Sequence, residues 1–200
     1  MCFHSKQSKS AQALKQRFKA NFRDENLYHP ALYNGFQYPQ TPVITNIQTD
    51  EIQLFHWGLI PSWAKDDTIK KNTLNARFET IHEKPSFRNA VNNRCLVLSD
   101  AFYEWKWLDE KGKQKQKYEL TLPNNELFAF AGLWSECLDK STGEMIYTYT
   151  ILTTAANELM SKIHNTKKRM PIILAADSEH SWLAGMDFKM QNDKLIAIAI

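Results

Sequence analysis

The sequence has few cysteines, few glycines and no long apolar segment, and each shortage excludes a class of protein. The three cysteines, Cys2, Cys95 and Cys137, are widely spaced and include no Cys-x-x-Cys pair, which excludes a disulfide framework and a zinc knuckle. The longest nearly apolar run, Leu127 to Trp134, falls far short of the roughly 20 residues that cross a bilayer. With 43% hydrophobic and 24% charged residues and only six glycines, the composition is typical of a soluble globular protein.

The amino terminus is basic but does not have the form of an export signal, because no apolar segment follows Met1 to Lys6. We therefore expect a cytoplasmic protein without membrane association. Residues 1–23 carry six Lys or Arg and no acidic residue, and residues 162–169 form a second basic run that includes Lys167, Lys168 and Arg169. Such runs can follow a phosphate backbone, although each run taken alone is more simply a solvated face.

The hydrophobic periodicity predicts many strands and few helices. Leu14, Phe18 and Phe22 recur at four-residue spacing and predict a basic amphipathic helix over 10–22. Because no β-α-β alternation occurs, we expect a mainly antiparallel α+β fold, with a barrel-like sheet core flanked by short helices, in one domain of residues 1–200. Residues 58–74 are expected to be irregular, and short helices are expected at 155–163 and 178–183. Alternating patterns predict a hairpin over 41–57 that turns at 49–50, and strands at 95–99, 101–107, 117–122, 127–134, 145–154, 171–174 and 195–200.

Cys2 becomes the first residue if Met1 is removed, and the new terminus then carries two nucleophiles. The α-amine has a pKa of about 7.7 to 8.0 and the thiol a pKa of about 8.5, so both are partly deprotonated near neutral pH. With an aldehyde, the amine forms an imine, and the thiolate closes on the imine carbon to give a thiazolidine that resists hydrolysis. The same terminus also suits attack on an amide, with the amine as base. The simpler interpretation is a frayed chain end.

Five segments follow one another in a specific order along most of the chain. They are Met1-Cys2, Trp57-Gly58-Leu59-Ile60-Pro61-Ser62-Trp63, Asn75-Ala76-Arg77-Phe78-Glu79-Thr80, Arg94-Cys95 through Ala101-Phe102-Tyr103-Glu104-Trp105-Lys106, and Ile163-His164 with Arg169-Met170-Pro171. Together they resemble the SOS response-associated peptidase family, whose members shield abasic sites in single-stranded DNA by covalent attachment through residue two. The resemblance implies single-stranded DNA with abasic sites as the partner, a role in the DNA damage response, and no metal or organic cofactor.

Asn75 and Arg77 follow the irregular segment 58–74. The amide of Asn75 can accept a hydrogen bond from an amine and donate one to an oxygen, and the alternative is a helix N-cap. The planar guanidinium of Arg77 matches a phosphate, and the alternative is a surface ion pair with Glu79 or Glu83. The resemblance implies that Asn75 holds the terminal amine and the sugar, and that Arg77 contacts the DNA backbone.

Glu104 lies between aromatic residues in a predicted strand, on the same face as Phe102. We expect its carboxylate to be partly desolvated and its pKa to be raised toward neutrality. The alternative is a surface pairing with Lys106. His164 ends a predicted helix, and without the motif nothing distinguishes it from the other histidines. The resemblance implies that Glu104 performs acid-base work on the amine and the imine, and that His164 helps to open the sugar ring.

Two tryptophans bracket the beginning of the irregular segment. Trp57 continues a predicted strand, so we expect it in the core. Trp63 lies on a predicted loop, so we expect its ring to be presented to the DNA, where stacking on a base contributes about 1 to 3 kcal/mol and is independent of base identity.

The chain departs from the family pattern at two places that bear on DNA binding. Cys2-Phe3-His4 stands where the family usually has Cys-Gly-Arg, so a phosphate contact by His4 would depend on pH. The segment after His164 is longer than in many relatives. We expect its extra lysines, Lys167 and Lys168, to extend a DNA groove together with Arg169.

The sequence as a whole predicts a monomeric enzyme that binds single-stranded DNA regardless of base sequence and crosslinks to abasic sites through Cys2. The resemblance also implies a lyase activity and a peptidase activity confined to Met1. Two alternatives stay open. One is an amidohydrolase, such as a glutaminase, with Cys2 as an amino-terminal nucleophile, and the other is a module that binds single strands without a covalent bond.

Overall fold

The computed structural model describes residues 2–140 and 142–200. None of the helices in that part of the chain has the length and apolar character of a membrane span. The helices are α1 (Ala11–Phe18), α2 (Glu158–Ile163) and α3 (Glu179–Leu183). The strands are β1 (His4–Gln7), β2 (Asn21–Phe22), β3 (Ala31–Asn34), β4 (Gln40–Thr45), β5 (Gln48–Trp57), β6 (Asn75–Arg77), β7 (Arg94–Ser99), β8 (Ala101–Trp107), β9 (Lys115–Thr121), β10 (Phe128–Leu138), β11 (Met145–Ala155), β12 (Arg169–Pro171) and β13 (Ile196–Ala199).

A barrel forms from β11, β10, β7, β4 and β5, which pair in this order and are antiparallel. A short parallel pairing of Trp57 in β5 with Tyr149 in β11 closes the ring. β6 and β12 also pair with β11, and β2 pairs with β5. A second, antiparallel sheet has the order β13, β9, β8, β1 and β3. The predicted α+β fold with a barrel-like, mainly antiparallel core is therefore confirmed.

Successive side chains of the barrel strands point to opposite sides of the wall and belong to two hydrophobic clusters, one inside the barrel and one outside it. In β10, Phe128 joins the cluster inside the barrel and Ala129 joins the cluster outside it. The inner cluster continues onto the second sheet through Phe102. Leu14 of α1 and Trp182 of α3 cover the outer cluster. The helices α1 and α3 therefore pack on the outside of the barrel, whereas α2 and the second sheet contribute to the inner cluster.

Several predicted boundaries were wrong. The first helix ends at Phe18 rather than at residue 22, because Lys19 takes a left-handed conformation with a φ of 53° and Phe22 lies in β2. The first hairpin turns between β4 and β5 at residues 46–47 rather than at 49–50. The strand expected at 171–174 lies earlier, at Arg169–Pro171, and Ile173 forms only an isolated bridge.

Two strands that organise the site, β1 and β3, have no counterpart in the sequence prediction. β1 buries Ser5 and Gln7, which are both polar, so hydrophobic alternation does not reveal it. β1 lies between β8 and β3, with His4 opposite Tyr103 and Asn34. This pairing fixes the position of the amino-terminal segment beside β8.

Candidate functional site

A cleft of about 250 Å³ lies beside β8, beyond the point where β1 begins. β1 pairs with β8 only as far as His4 and Tyr103, whereas β8 continues to Trp107. The loop after α2 lies on the other side of this space. The cleft is lined by Phe3, His4, Glu104, Trp105, Trp107, Lys115, His164, Thr166 and Lys167. The structure therefore brings Glu104 and His164, which are remote in sequence, to one cleft near the amino terminus.

Cys2 lies next to this cleft but does not line it. Its side chain has no exposed surface and belongs to the inner hydrophobic cluster, and Sγ donates a weak hydrogen bond to the carbonyl oxygen of His4 at 3.5 Å. Burial, and then the charge of Glu104, raises the pKa of the Cys2 thiol. In the chain that still carries Met1, Cys2 is therefore a protonated, buried thiol, and it is not the frayed chain end that was the simpler interpretation.

Asn75 fixes the backbone of Cys2. β6 lies parallel to β11, with Asn75 opposite Ile151, and this pairing carries the side chain toward the amino terminus. Nδ2 of Asn75 donates a hydrogen bond to the carbonyl oxygen of Cys2 at 2.8 Å. Oδ1 is buried and accepts no hydrogen bond from the described residues. The side-chain amide thus orients Cys2 through Nδ2, and Oδ1 is a second polar atom close to Cys2. Asn75 begins β6, so it is not the helix N-cap considered as the alternative.

Glu104 lies on the inner face of β8, where Phe102 points into the core. The residue is only 5% exposed, which places its carboxyl in the interior rather than on the surface beside Lys106. Burial raises the pKa of its carboxyl to about 7. At neutral pH, comparable fractions of the carboxyl are protonated and ionised, which is the condition that favours a group that both gives and takes protons.

His164 follows α2 and is buried at the cleft. Its Nδ1 lies 2.9 Å from the carbonyl oxygen of Arg169 and 3.1 Å from the amide nitrogen of the same residue. Burial lowers the pKa of the imidazole to about 4, so the ring is neutral at physiological pH. The turn that returns the backbone to the ring passes through Lys168, whose φ is 48°. His164 is therefore held in place and can accept a proton.

The model of the SOS response associated peptidase (SRAP) family matches residues 1–198. The chain belongs to this family. It is 44% identical over 163 residues to the abasic site processing protein YoqW of Bacillus subtilis (strain 168), covering 81% of this chain and 70% of that protein. It is 33% identical over 192 residues to the abasic site processing protein HMCES of Gallus gallus, covering 80% of this chain and 55% of that protein. An X-ray structure of a protein from Bacteroides thetaiotaomicron matches with a TM-score of 0.89 at 35% identity, over 100% of this chain and 92% of that chain.

The two SRAP arginines predicted to contact DNA have different surroundings. Arg77 ends β6 with an exposed side chain. The guanidinium of Arg169 instead forms a two-bonded ion pair with Glu79, with both distances at 2.8 Å, and a further hydrogen bond to the carbonyl oxygen of Thr153 at 2.6 Å. Glu79, one of the two acidic partners considered for Arg77, is thus bound to Arg169. Contact of either arginine with DNA stays a prediction.

The remaining residues predicted to bind DNA are spread around the cleft and beyond it. Lys167 lines the cleft, and Lys168 is exposed beside it. The imidazole of His4 packs edge-on against Trp105, with the two ring centres 4.8 Å apart. Burial, and then the charge of Lys117, lowers the pKa of His4. Trp63 is 51% exposed on an irregular loop but does not line the cleft. Their DNA contacts stay predictions.

The expected core position of Trp57 is confirmed. Its side chain has no exposed surface, and Nε1 donates to the carbonyl oxygen of Leu74 at 2.8 Å, directly before Asn75. Trp57 therefore supports the strand that carries Asn75, rather than contacting a ligand.

The sequence analysis missed several residues of the cleft and of its wall. Trp107 and Lys115 line it, and Asn165 fixes its wall by bonding both backbone groups of Trp107, at 3.1 Å and 2.9 Å. The alternation of aromatic and basic residues in β8 and β9 is the signal that could have identified the first two. Within residues 2–140 and 142–200, no group of three His, Cys, Asp or Glu side chains is arranged to hold a metal ion.

Proposed function

We propose that this SRAP protein processes abasic sites in single-stranded DNA by forming a covalent thiazolidine between Cys2 and the lesion after removal of Met1. The observation that carries the proposal is the placement of Cys2 between the amide of Asn75 and the cleft of Glu104 and His164. The names of the curated relatives support abasic sites as the substrate.

The proposed reaction begins with hydrolysis of the bond between Met1 and Cys2, which releases the α-amine of Cys2. The amine adds to the aldehyde carbon of the ring-opened abasic sugar and gives a carbinolamine, which loses water to form an imine. Sγ of Cys2 then adds to the carbon of the protonated imine as the thiol loses its proton to Glu104, and the nitrogen keeps its own proton. The net change after removal of Met1 is the loss of one water and the formation of one C–N and one C–S bond.

Glu104 and His164 supply complementary proton transfers in this scheme. In the tautomer whose Nδ1–H donates to the carbonyl oxygen of Arg169, neutral His164 takes the proton of the sugar 1′-hydroxyl through Nε2 as the C1′–O4′ bond breaks, and the proton then passes to O4′. Glu104 gives a proton to the departing hydroxyl of the carbinolamine and later takes the thiol proton, which its pKa near 7 permits in both directions. The nearby acceptor of Asn75 orients the amine.

The imine also provides the lyase activity that the SRAP resemblance implies. Once the imine has formed, removal of a proton from C2′ lets the 3′-phosphate leave by β-elimination. Closure to the thiazolidine removes the imine, so attack by Sγ competes with strand cleavage. The burial of Cys2 beside the cleft favours closure, because the thiol stays close to the reacting carbon.

The test uses mature protein, a single-stranded oligonucleotide with one abasic site and a denaturing gel. Wild type should form an adduct that survives SDS without reduction. Cys2→Ser keeps the amine but loses the thiol, so its adduct should persist only after reduction by borohydride. A glycine inserted between Met1 and Cys2 keeps the thiol but not the terminal aminothiol, so it should form no stable adduct.

Other outcomes identify the rival functions. An unreduced, SDS-resistant adduct of undiminished yield with Cys2→Ser contradicts the thiazolidine mechanism. Release of ammonia from glutamine without an adduct identifies an amidohydrolase. Binding that is abolished by salt and unchanged in Cys2→Ser, again without an adduct, identifies a noncovalent binder.

A further inference from the structure

Cys2 and Phe3 lie just before the strand ladder of the second sheet begins. β1 starts at His4, and its pairings with β3 and β8 start at the same residue. Two hydrogen bonds, both of 2.8 Å, hold the backbone in front of β1. Asn75 donates to the carbonyl oxygen of Cys2, and the amide of Gly35 donates to that of Phe3. Both bonds fix backbone atoms, so the side chain of Phe3 is held by other contacts.

The side chain of Phe3 stacks on Phe36, and we call these two residues the Phe3–Phe36 pair. Their ring centres lie 4.7 Å apart, a separation at which aromatic rings attract each other. Phe3 is half-buried, because it packs against the inner cluster as well as lining the cleft. Phe36 is 53% exposed. Phe36 therefore holds Phe3 in place while much of its own surface stays in solvent.

Phe36 lies on a turn that is fixed independently of its ring. Oδ1 of Asn34 accepts a hydrogen bond from the amide of Phe36 at 3.1 Å. Gly35 packs so closely on Trp57 that a Cβ there would lie 3.3 Å from the indole ring. Tyr38 ends the turn in a left-handed conformation with a φ of 52°, and its amide donates to the carbonyl oxygen of Gly35 at 3.0 Å. Substitution of Phe36 therefore removes one ring contact and leaves the turn in place.

The thiol of Cys2 is closed off from solvent although the cleft lies next to it. Sγ has no exposed surface and lies in the inner cluster, and Phe3 packs against the same cluster while it lines the cleft. A reagent in water therefore reaches Sγ through local opening of residues 2 and 3. The Phe3–Phe36 pair opposes that opening, because the two rings separate when Phe3 moves. The contacts use atoms of Cys2 and Phe3, so removal of Met1 deletes none of them.

We propose that the Phe3–Phe36 pair shields the Cys2 aminothiol from water and thereby sets the lifetime of the thiazolidine. The inference rests on the proposed function, because it concerns the hydrolysis of the proposed crosslink. In that hydrolysis the C–S bond breaks to give a protonated imine and a thiolate, water adds to the imine carbon, and the C–N bond breaks to return the aldehyde and the amine. Water must reach the imine carbon, so opening of residues 2 and 3 accelerates the reaction. Phe36 is a positioning residue in this scheme, because it acts through Phe3 rather than on the reacting atoms.

The first measurement is alkylation of the mature protein by iodoacetamide without DNA, followed at each cysteine by mass spectrometry of its peptide. Phe36→Ala should speed alkylation of Cys2 about 2- to 12-fold, the change in local opening that follows from loss of one aromatic pair. Phe36→Tyr should keep the wild-type rate. Leu27→Ala removes an exposed apolar side chain from another turn, so it is the matched control and should change nothing. Cys95, buried in the same cluster as Cys2, should react equally slowly in every variant.

The second measurement is the half-life of the adduct with a single-stranded abasic oligonucleotide during a chase with methoxyamine, which captures the released aldehyde. Phe36→Ala should shorten this half-life by the same factor by which it speeds alkylation of Cys2. Phe36→Tyr and Leu27→Ala should keep the wild-type half-life.

A wild-type rate of Cys2 alkylation in Phe36→Ala overturns the inference, and so does an equal rise at Cys95, which would show general loosening of the fold. A shorter half-life without faster alkylation also overturns it, because the ring would then act on the DNA. Faster alkylation with an unchanged half-life overturns the role in crosslink lifetime. If wild type forms no adduct, the proposed function fails, whereas alkylation of Cys2 still decides whether the Phe3–Phe36 pair shields the thiol.

Discussion

Asn75 and Cys2 are joined by a hydrogen bond of 2.8 Å from the side-chain amide to the backbone carbonyl, in a place where Oδ1 of the same amide is buried and accepts nothing from the described residues. An acceptor left in this state costs free energy unless a donor reaches it. In the proposed mechanism, a terminal amine on Cys2 supplies such a donor once Met1 has been removed.

Asn75→Asp is expected to slow crosslinking about 10-fold or more, because a carboxylate cannot donate to the carbonyl of Cys2. The rate of adduct formation on a denaturing gel measures the effect. Binding of an intact oligonucleotide serves as the control and should stay within about twofold of wild type. A parallel loss of binding would show that Asn75 acts on DNA affinity instead.

Glu104→Gln is expected to stabilise the fold and to weaken the reaction. The folded carboxyl holds its proton up to about pH 7, whereas the unfolded one releases it near 4.5, so the free energy of unfolding falls as pH rises through this window. At pH 8 the variant should be more stable by up to about 3 kcal/mol, and at pH 4 the two should be equal. Crosslinking should fall by about 10² or more.

Denaturant titrations at pH 4, 6 and 8 measure the stability difference. Glu126→Gln, an exposed acid, is the matched control and should show no pH-dependent gain. A destabilised Glu104→Gln at pH 8 would contradict the assignment of Glu104 as a residue kept for chemistry at the expense of stability.

His164 is expected to make the fold sensitive to acid. Its folded pKa of about 4 lies below the ordinary value of 6.5, so its contribution to stability is complete above pH 6.5 and is lost as pH falls toward 4. His164→Gln should reduce the loss of stability between pH 7 and pH 4.5, as measured by thermal melts. The exposed His82→Gln should leave that loss unchanged. Equal pH profiles for both variants would refute the assignment.

Substitution of Arg169 is expected to affect mainly stability, whereas substitution of Arg77 is expected to affect mainly DNA binding. Arg169→Ala leaves the first residue of β12 without its ion pair to Glu79 and should lower the free energy of unfolding by about 1 to 3 kcal/mol. Arg77→Ala should change stability by less than about 0.5 kcal/mol but weaken DNA binding and reduce its salt dependence. Urea unfolding and anisotropy measure the two quantities. Unchanged DNA binding in Arg77→Ala would remove this residue from the interface.

The sequence predicts the barrel well where the buried residues of a strand are apolar. In β10 the alternation of Phe128, Ala129 and Phe130 reports the two sides of the wall directly. Hydrophobic alternation does not identify β1, because its buried residues, Ser5 and Gln7, are polar. Their burial depends on pairing with strands that are distant in sequence. Local pattern therefore identifies the core but not the strand that positions the amino terminus.

The sequence motifs named most of the candidate site residues, and the structure shows which partners hold them. The raised pKa expected for Glu104 follows from its aromatic surroundings, which are local in sequence. The roles of Asn165 and Arg169 are not local. Asn165 meets β8 from a loop far along the chain, and Arg169 is paired with Glu79 rather than presented to solvent. No spacing within either segment encodes these partners.

Ala76 lies between Asn75 and Arg77 in β6, but its side chain belongs to the outer hydrophobic cluster. Its carbonyl accepts a hydrogen bond from Thr153 in β11 at 3.1 Å, so β6 is held to its neighbour at this residue. A bulkier side chain at Ala76, or at a helix residue that packs on the same cluster, would shift β6 and reposition the groups on either side. Substitutions under α1 and α3 would therefore change the rate of the proposed reaction while every residue that takes part in it stays the same.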